Sequence, residues 1–516
     1  MPIFVLMRGS PSISPGSKRI ARNAMALYVR MFILLIVSLF TARIVLNALG
    51  TEDRGVYEAV ASFVSMMALL SNALSTAISR FLTVQIGKGD DATLKEVFAT
   101  AKGILWGMAL LILIVAEPLG IWYTGNVMNL PPGRVQAAQW LFQFSLATFI
   151  IGLVSIPYNA CLIAHERMGV YAIIGVVEGL LKLGVALAIM KAAQDRLIIY
   201  GLLMLGVALL VRCLYVVYCR RYFEESKAGI HLYRQHAGAM VSFAGWNGLA
   251  QGISILNAHG VTQLLNFFFG VVFNTMRGLA LNVENMVKQF IANVLVAINP
   301  QITKQYAAGD IGYSGELACK ASKYAFLIGF TLALPFFFEA QPLLELWLGK
   351  RFIPDGTDYF TQLGLICMVL DIALNPVNTF VQAAGNIKRY YIMYSAATVL
   401  VFPVTWLLFR MGAPASSLYF VLMADYLLLD VCKLLVGGRR YGFPVAHFLK
   451  ETLLRVLPVM ILSLAVTHFV RRIVPSGAWQ VVAVIVCGTL AVCISSWFFA
   501  LTRGEKDYVL SKFGRK

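Results

Sequence analysis

Long apolar segments follow one another along almost the whole chain, separated by short polar connections. A helix that crosses a bilayer needs about 20 mostly apolar residues. Fourteen segments meet that requirement, at 24–49, 56–86, 98–123, 136–164, 168–192, 196–220, 237–269, 276–303, 318–348, 358–384, 389–411, 414–436, 446–471 and 478–502. Prolines inside six of them predict kinks, at Pro118, Pro157, Pro335, Pro376, Pro403 and Pro458. The pattern predicts an all-α integral membrane protein with about 14 transmembrane helices.

Composition and charge agree with a membrane protein. Of the 516 residues, 59% are hydrophobic and only 13% are charged, about half the charged fraction of a typical soluble domain. The net charge of +18 would suggest nucleic acid as a partner of a soluble protein. Here most of the lysines and arginines lie in connections on one side of the predicted membrane, such as RRYFEESKAGIHLYRQH (220–236) and GGRRYG (437–442). The positive-inside rule assigns that side to the cytoplasm, and both termini with it.

The sequence offers no signal for an enzyme. Its eight cysteines are scattered and form no Cys-x-x-Cys motif or Cys/His cluster along the chain, so neither a metal site nor a disulfide framework is predicted. No predicted connection is long enough for a soluble catalytic domain. We therefore expect no catalytic residues, no metal, no cofactor and no nucleic-acid partner. A membrane-embedded glycosyltransferase or polymerase, which needs a substantial loop with catalytic side chains, is disfavoured for the same reason.

Two segments of the chain resemble each other. Residues 73–90 (ALSTAISRFLTVQIGKGD) and 293–310 (NVLVAINPQITKQYAAGD) share six of eighteen positions at an offset of 220, and the same offset aligns Gly50 with Gly270. Chance remains an alternative for so short a match. Both copies end a span on the predicted cytoplasmic side, which implies a repeat of six helices in one orientation. We predict two pseudo-symmetric six-helix lobes around a central cavity, plus two extra C-terminal helices.

This arrangement divides the chain into six parts. They are a cytoplasmic tail (1–23), an N-lobe (24–221), a cytoplasmic linker (222–236), a C-lobe (237–437), two further spans (438–503) and a basic tail (504–516). The expected state is a monomer surrounded by membrane lipids.

Six segments carry a family resemblance: LYVRMFILLIVSLFTARIVLNALGTEDRGVY (27–57), SRFLTVQIGKGD (79–90), AHERMGVYAIIGVVEGLLKL (164–183), NFFFGVVFNTMRG (266–278), NPQITKQYAAGD (299–310) and AAGNIKRYY (383–391). In them the chain resembles the polysaccharide (O-antigen/oligosaccharidyl-lipid) flippases of the multidrug/oligosaccharidyl-lipid/polysaccharide (MOP) exporter superfamily. The resemblance implies a bacterial inner-membrane transporter that moves an undecaprenyl-diphosphate-linked oligosaccharide from the cytoplasmic to the periplasmic leaflet by alternating access. It also implies polysaccharide polymerases and glycosyltransferases of the same pathway as partners.

An alternative within the same superfamily is an antiporter for drugs or small cations, of the multidrug and toxic compound extrusion (MATE) type. Such a transporter would favour acidic residues in the helices of the first lobe. The first span here carries two arginines and no acid.

Cations inside the predicted spans are candidates for binding a diphosphate headgroup. Intramembrane charges are costly and usually face a cavity or a partner, and arginine and lysine suit phosphate oxygens. Arg30 and Arg43 lie about 20 Å apart along one helix, so each can also reach a leaflet surface as a simple anchor. Arg80 and Arg277 lie near span ends, where anchoring and cavity lining are both open. The candidate set is Arg30, Arg43, Arg80, Lys182, Arg277 and Lys288.

Acidic residues in the spans divide into two groups. Glu178 with Lys182 and Glu284 with Lys288 have the favourable Glu-to-Lys spacing of four residues. Each Glu–Lys pair is either a pair that only neutralises itself, or a lysine that binds substrate phosphate with a carboxylate that keeps the empty cavity neutral. Asp371 and Asp425 have no cation within one helical turn, and a buried carboxylate can carry a coupling proton.

Overall fold

The computed structural model describes residues 15–165, 167–384 and 388–513 and divides into two compact units. The first unit comprises residues 12–275, and its described secondary-structure elements are all helices joined by short connections. Its helices are α1 (Pro15–Ser65), α2 (Ala68–Lys88), α3 (Asp91–Asn126), α4 (Val135–Ala164), α5 (Met168–Met190), α6 (Arg196–Tyr222) and α7 (Arg234–Phe269), with a 3₁₀ turn at Glu224–Lys227. Helix α1 packs on α5, α4 on α6, and α2 on α7.

The second unit comprises residues 276–516. It contains most of α8 (Val271–Ala307), followed by α9 (Ile311–Leu348), α10 (Thr357–Ala373), α11 (Asn375–Ala383), α12 (Lys388–Val399), α13 (Val401–Arg410), α14 (Ser417–Tyr441), α15 (Val445–Phe448), α16 (Leu454–Ile473), α17 (Ala478–Ser495) and α18 (Arg503–Phe513). A 3₁₀ turn follows α9 at Lys350–Phe352, and π-helical turns follow α15 and α17 at Leu449–Leu453 and Ser496–Ala500. Helix α9 packs against α10, α11 and α17, and α16 packs against α17.

Ten helical segments in the described residues are long and apolar enough to cross a membrane: Val29–Ser65, Asp91–Asn126, Val135–Ala164, Met168–Met190, Arg196–Tyr222, Ile311–Leu348, Thr357–Ala383, Ile392–Arg410, Val445–Ile473 and Ala478–Ala500. The structure is therefore an all-α membrane protein, and the count of 14 spans stays a prediction. The other predicted spans lie in α2, α7, α8 and α14. Two of these, α8 and α14, carry the intramembrane charges discussed below.

Several predicted helix boundaries need correction. The chain does not form a loop at 50–55: α1 kinks at Gly50 and continues as a helix to Ser65. A break not predicted from the sequence follows at Met66–Met67, so the predicted span 56–86 is two helices. The tenth predicted span is interrupted at Leu374, just before the proline expected to kink it, and the eleventh at Leu400.

The internal repeat appears in the backbone geometry. Gly50 has φ 78° and ψ −177°, and Gly270 has φ 84° and ψ −177°, a region that is accessible almost only to glycine. Gly89 and Gly309 likewise both have positive φ, at the ends of α2 and α8. After them, the Asp90 and Asp310 carboxylates cap the next helices by accepting from the amides of Thr93 and Tyr313, at 3.0 Å in both cases.

Helix α7 lies with the first unit, where it packs against α2 and α1. The lobe boundary predicted from the repeat precedes this helix, at 222–236. The two divisions measure different things, because the repeat reflects the order of the helices and the compact units reflect their packing. The six-helix lobes and their central cavity stay a prediction.

Candidate functional site

Arg30 of α1 packs against α5 in the first unit. Its guanidinium carbon lies 4.6 Å from the centre of the Tyr171 ring, within the range of a cation–π contact. Gly175 makes room for it, because a Cβ there would lie 2.3 Å from Arg30 Nε. Arg43, on the same helix, is exposed. The two arginines of α1 therefore differ, one being held by its neighbours and the other open to its surroundings.

Lys182 and Glu178 form the ion pair expected from their spacing. The Lys182 ammonium donates to Glu178 Oε1 at 2.6 Å, one turn earlier on α5. Both side chains stay accessible, with exposed fractions of 41% and 36%. Tyr215 of α6 lies within electrostatic range of Arg30 and Glu178. Helices α1, α5 and α6 thus gather two cations, a carboxylate and tyrosines on one side of the first unit. Arg80 is an exposed residue of a different helix, α2.

Lys288 of α8 has a different partner from the one its spacing suggests. Its ammonium donates to Asp371 Oδ2 of α10 at 3.0 Å, and the exposed fractions are 31% and 35%. The expected hydrogen bond with Glu284 is not formed, although Glu284 lies close enough to interact electrostatically. Asp371, interpreted as a carboxylate without a local cation, is paired across helices.

Glu284 is buried beside this pair, with 6% of its surface exposed. Its Oε1 has no hydrogen-bond partner in the described part of the chain. A Cβ on Gly364 of α10 would lie 2.1 Å from that oxygen, so the glycine provides the space for the carboxylate. Arg277 and Lys288 are the cations nearest to Glu284. Arg277 is itself buried, with its guanidinium 5.8 Å from the centre of the Tyr419 ring.

Asp425 on α14 is another buried acid of the second unit. It is 8% exposed, and its Oδ1 has no hydrogen-bond partner among the described residues. Asp430, five residues on, bonds to Lys433 at 2.9 Å as its spacing predicts. The second unit therefore combines a lysine–aspartate pair with two buried carboxylates, Glu284 and Asp425, that lack a hydrogen bond at one oxygen.

Two polar clusters of the first unit were not found from the sequence. Arg134, between α3 and α4, bonds through Nε to Asp53 Oδ1 at 2.7 Å and through Nη1 to Asp195 Oδ2 at 2.5 Å. Burial lowers the pKa of the Arg134 guanidinium, but these two carboxylates outweigh burial and raise it overall. Cys161, His165 and Glu225 meet at the far end of α4. The only sequence signal was the spacing of four residues between Cys161 and His165.

The fold is that of the MOP superfamily transporters. The chain matches an inward-facing multidrug resistance MATE family transporter of that superfamily with a TM-score of 0.66 at 15% identity, over 83% of this chain and 99% of that one. It matches lipid II flippase MurJ, in an inward closed conformation, with a TM-score of 0.68 at 12% identity, over 93% and 98%.

A third solved structure extends the comparison to another type of pocket. It is a MOP superfamily transporter from Pyrococcus furiosus, described as having a binding pocket of reverse polarity that suggests a different function. The match has a TM-score of 0.60 at 14% identity, over 83% of this chain and 96% of that one. No family model and no curated protein matches the chain. These neighbours are transporters, and at these identities they define the fold alone.

Proposed function

We propose that the protein is a flippase for a lipid-linked glycan. It moves an undecaprenyl-diphosphate-linked oligosaccharide from the cytoplasmic to the periplasmic leaflet of a bacterial inner membrane during surface polysaccharide synthesis. The observation that carries the proposal is that Lys182 and Lys288, each well inside a helix, are both accessible and each bonded to a single carboxylate. Both termini are cytoplasmic in this proposal, and the pathway's polymerase and glycosyltransferases are its partners.

The two lysine–carboxylate pairs suit an anionic headgroup. A diphosphate can replace the carboxylate as the partner of a lysine, because phosphate oxygens accept charge-assisted hydrogen bonds of similar geometry. When no substrate is bound, Glu178 and Asp371 neutralise the lysines and lower the cost of keeping them in the membrane. Arg30 and Arg43 would contribute further cations along the path of the headgroup, and Arg80 and Arg277 are the remaining candidates.

The fold supports transport of this kind without identifying the substrate. A protein described as a lipid II flippase has the same fold over 93% of this chain. A flippase with this fold needs no catalytic side chain, since it changes the leaflet of its substrate and breaks no bond.

The test is the double variant Lys182→Ala plus Lys288→Ala. In a bacterium that lacks its own glycan flippase, the wild type should restore surface polysaccharide. The double variant should lose at least about 90% of that export, because losing two charge-assisted contacts of about 1.5–3 kcal/mol each weakens headgroup binding by more than tenfold.

The matched control is Lys191→Ala plus Lys304→Ala, which removes two exposed lysines near the ends of the same helices α5 and α8. Membrane abundance is measured for every variant. Full export by the Lys182/Lys288 variant at normal abundance would contradict the proposed headgroup site.

A MATE-like antiporter for drugs or cations is the second candidate function. Glu284 and Asp425 favour it, because each is a buried carboxylate with one oxygen lacking a hydrogen bond, suited to carry a coupling ion. Asp371 is less suited, since Lys288 already holds it. Drug efflux from whole cells separates the two functions. Glu284→Gln plus Asp425→Asn should abolish efflux in an antiporter, whereas the flippase predicts no efflux in the wild type.

A further inference from the structure

Three metal-ligating side chains converge at one end of the first unit. Cys161 and His165 are one turn apart at the end of α4, so both point to the same side of the helix. Glu225 approaches them from the 3₁₀ turn after α6. The Cys161 thiol donates to Glu225 Oε1 at 3.3 Å, and His165 Nε2 lies 2.5 Å from the same oxygen. All three ligand atoms lie within 4.8 Å of one another.

Two of the three side chains in this cluster are buried. Cys161 and Glu225 are almost fully buried, at 1% and 5% exposed. His165 is partly exposed and stacks on Phe223 with ring centres 4.2 Å apart, which fixes the plane of its imidazole. A buried carboxylate and thiol, with an oriented imidazole at the opening, form a preorganised set of donors that is reachable from one side.

The donors fit a divalent transition metal of the zinc class. Thiolate, imidazole and carboxylate are the ligands of zinc sites, with bonds of about 2.0–2.3 Å. Tetrahedral geometry at those bond lengths places ligand atoms about 3.3–3.8 Å apart. The thiol–carboxylate separation is already in that range, and the imidazole needs to move by only about 1 Å.

Cys219 of α6 is also buried near this cluster, but its thiol donates to the carbonyl oxygen of Tyr158 at 3.5 Å. Three side chains therefore supply the donors, and the fourth position of a tetrahedral ion is left to water. The positive-inside rule predicts that this end of the molecule lies in the cytoplasm, where the Cys161 thiol is expected to be reduced and able to bind metal.

We propose that Cys161, His165 and Glu225 form a binding site for a zinc-class divalent metal. Such an ion would fasten the turn Glu224–Lys227, at the start of the linker that follows α6, to the end of α4. Binding releases the Cys161 thiol proton to solvent and involves no redox step. This inference is independent of the transported substrate, since it concerns side chains that none of the candidate headgroup contacts uses.

The experiment is a titration of the purified, reduced full-length protein with Co²⁺. One equivalent should produce the thiolate-to-cobalt absorption of a tetrahedral sulfur site, and Zn²⁺ should displace it and raise the unfolding temperature. Cys161→Ser and Glu225→Gln, which keep the shape of each side chain, should each weaken binding by more than the about 10–100-fold that outer-shell changes cause.

The control is Cys213→Ala, which removes an exposed cysteine from the same helix as Cys219 and should leave the spectrum unchanged. Wild-type protein that yields no cobalt–sulfur absorption, or a spectrum that survives in Cys161→Ser, would overturn the proposal. Either result would reduce the cluster to an internal hydrogen-bond network.

Discussion

Helices α5 and α8 carry the same sequence element, a glutamate followed four residues later by a lysine, and use it differently. On α5 the two side chains bond to each other at 2.6 Å and remain accessible. On α8 the lysine turns to Asp371 of α10 while the glutamate is buried beside Gly364. The spacing of four residues therefore permits an ion pair within a helix, but whether the pair forms depends on the side chains of the neighbouring helix.

The difference also gives the two lysines different electrostatic surroundings. Lys182 has a single bonded carboxylate, whereas Lys288 bonds to Asp371 and also interacts electrostatically with the buried Glu284. A phosphate approaching Lys182 competes with one exposed carboxylate. A phosphate at Lys288 would meet two negative groups. We therefore expect Lys182 to bind the headgroup more readily than Lys288 when Asp371 and Glu284 are both ionised.

Removing the charge of each lysine in turn should give the largest difference in stability between the two sites. Lys288→Met leaves Asp371 and Glu284 without their cation. We expect it to destabilise the protein by on the order of 2 kcal/mol, below the about 3–5 kcal/mol of a fully buried pair because the pair is about one-third exposed. Lys182→Met should cost less than about 1 kcal/mol, since it breaks only an accessible pair. Thermal unfolding of the purified variants measures both, and equal losses would contradict the different surroundings described here.

The space beside Glu284 can be tested without changing any charge. Gly364→Ala places a methyl group against the buried carboxylate, and this overpacking should cost about 1 kcal/mol, the lower range, since the end of a glutamate side chain can shift. The matched control is Gly184→Ala on α5, where nothing lies within 4 Å of the new methyl group. Helix propensity favours alanine at both positions, so the unfolding temperature of Gly364→Ala should lie below that of Gly184→Ala. Equal gains in unfolding temperature for the two variants would show that Glu284 does not need this space.

A third lysine–carboxylate pair extends the comparison to the C-terminal helix. Lys323 of α9, only 3% exposed, donates to both oxygens of Glu505 on α18. Burial raises the pKa of the Glu505 carboxyl, but its hydrogen bonds, first of all that with Lys323, outweigh burial and hold the pKa below its usual value.

Because the folded-state pKa of Glu505 is depressed, its stabilising contribution is complete above the unfolded value of about 4.3. That contribution is lost as the pH falls through the folded value. We expect the unfolding temperature of the wild type to fall over this acid range by slightly more than that of Glu505→Gln. Parallel pH profiles for the two proteins would contradict the depressed pKa.

The features that the sequence predicted well depend on residues close together in the chain. The turns at Gly89–Asp90 and Gly309–Asp310 were expected as equivalent because glycine and a capping aspartate act over three or four residues. The pair of Glu178 with Lys182 is equally local. The long apolar helices follow from composition alone.

The features that the sequence missed depend on contacts between distant segments. Lys288 and Asp371 are 83 residues apart, and Glu225 reaches Cys161 across 64, so only packing brings them together. The break at Met66–Met67 has no glycine or proline from which it could have been predicted. The number of spans stays a prediction, because ten of the described helical segments meet the length and hydropathy of a membrane span.

The kinks at Gly50 and Gly270 have a practical consequence for mutagenesis. A side chain at Gly50 would touch nothing within 4 Å, and one at Gly270 would make only an ordinary contact with Asn129. The obstacle to any other residue is chirality, because an L-amino acid in this conformation is strained by about 1–3 kcal/mol whatever its size. Substituting each glycine by alanine would therefore measure the backbone strain at that kink with little contribution from packing. The two strain energies could then be compared directly.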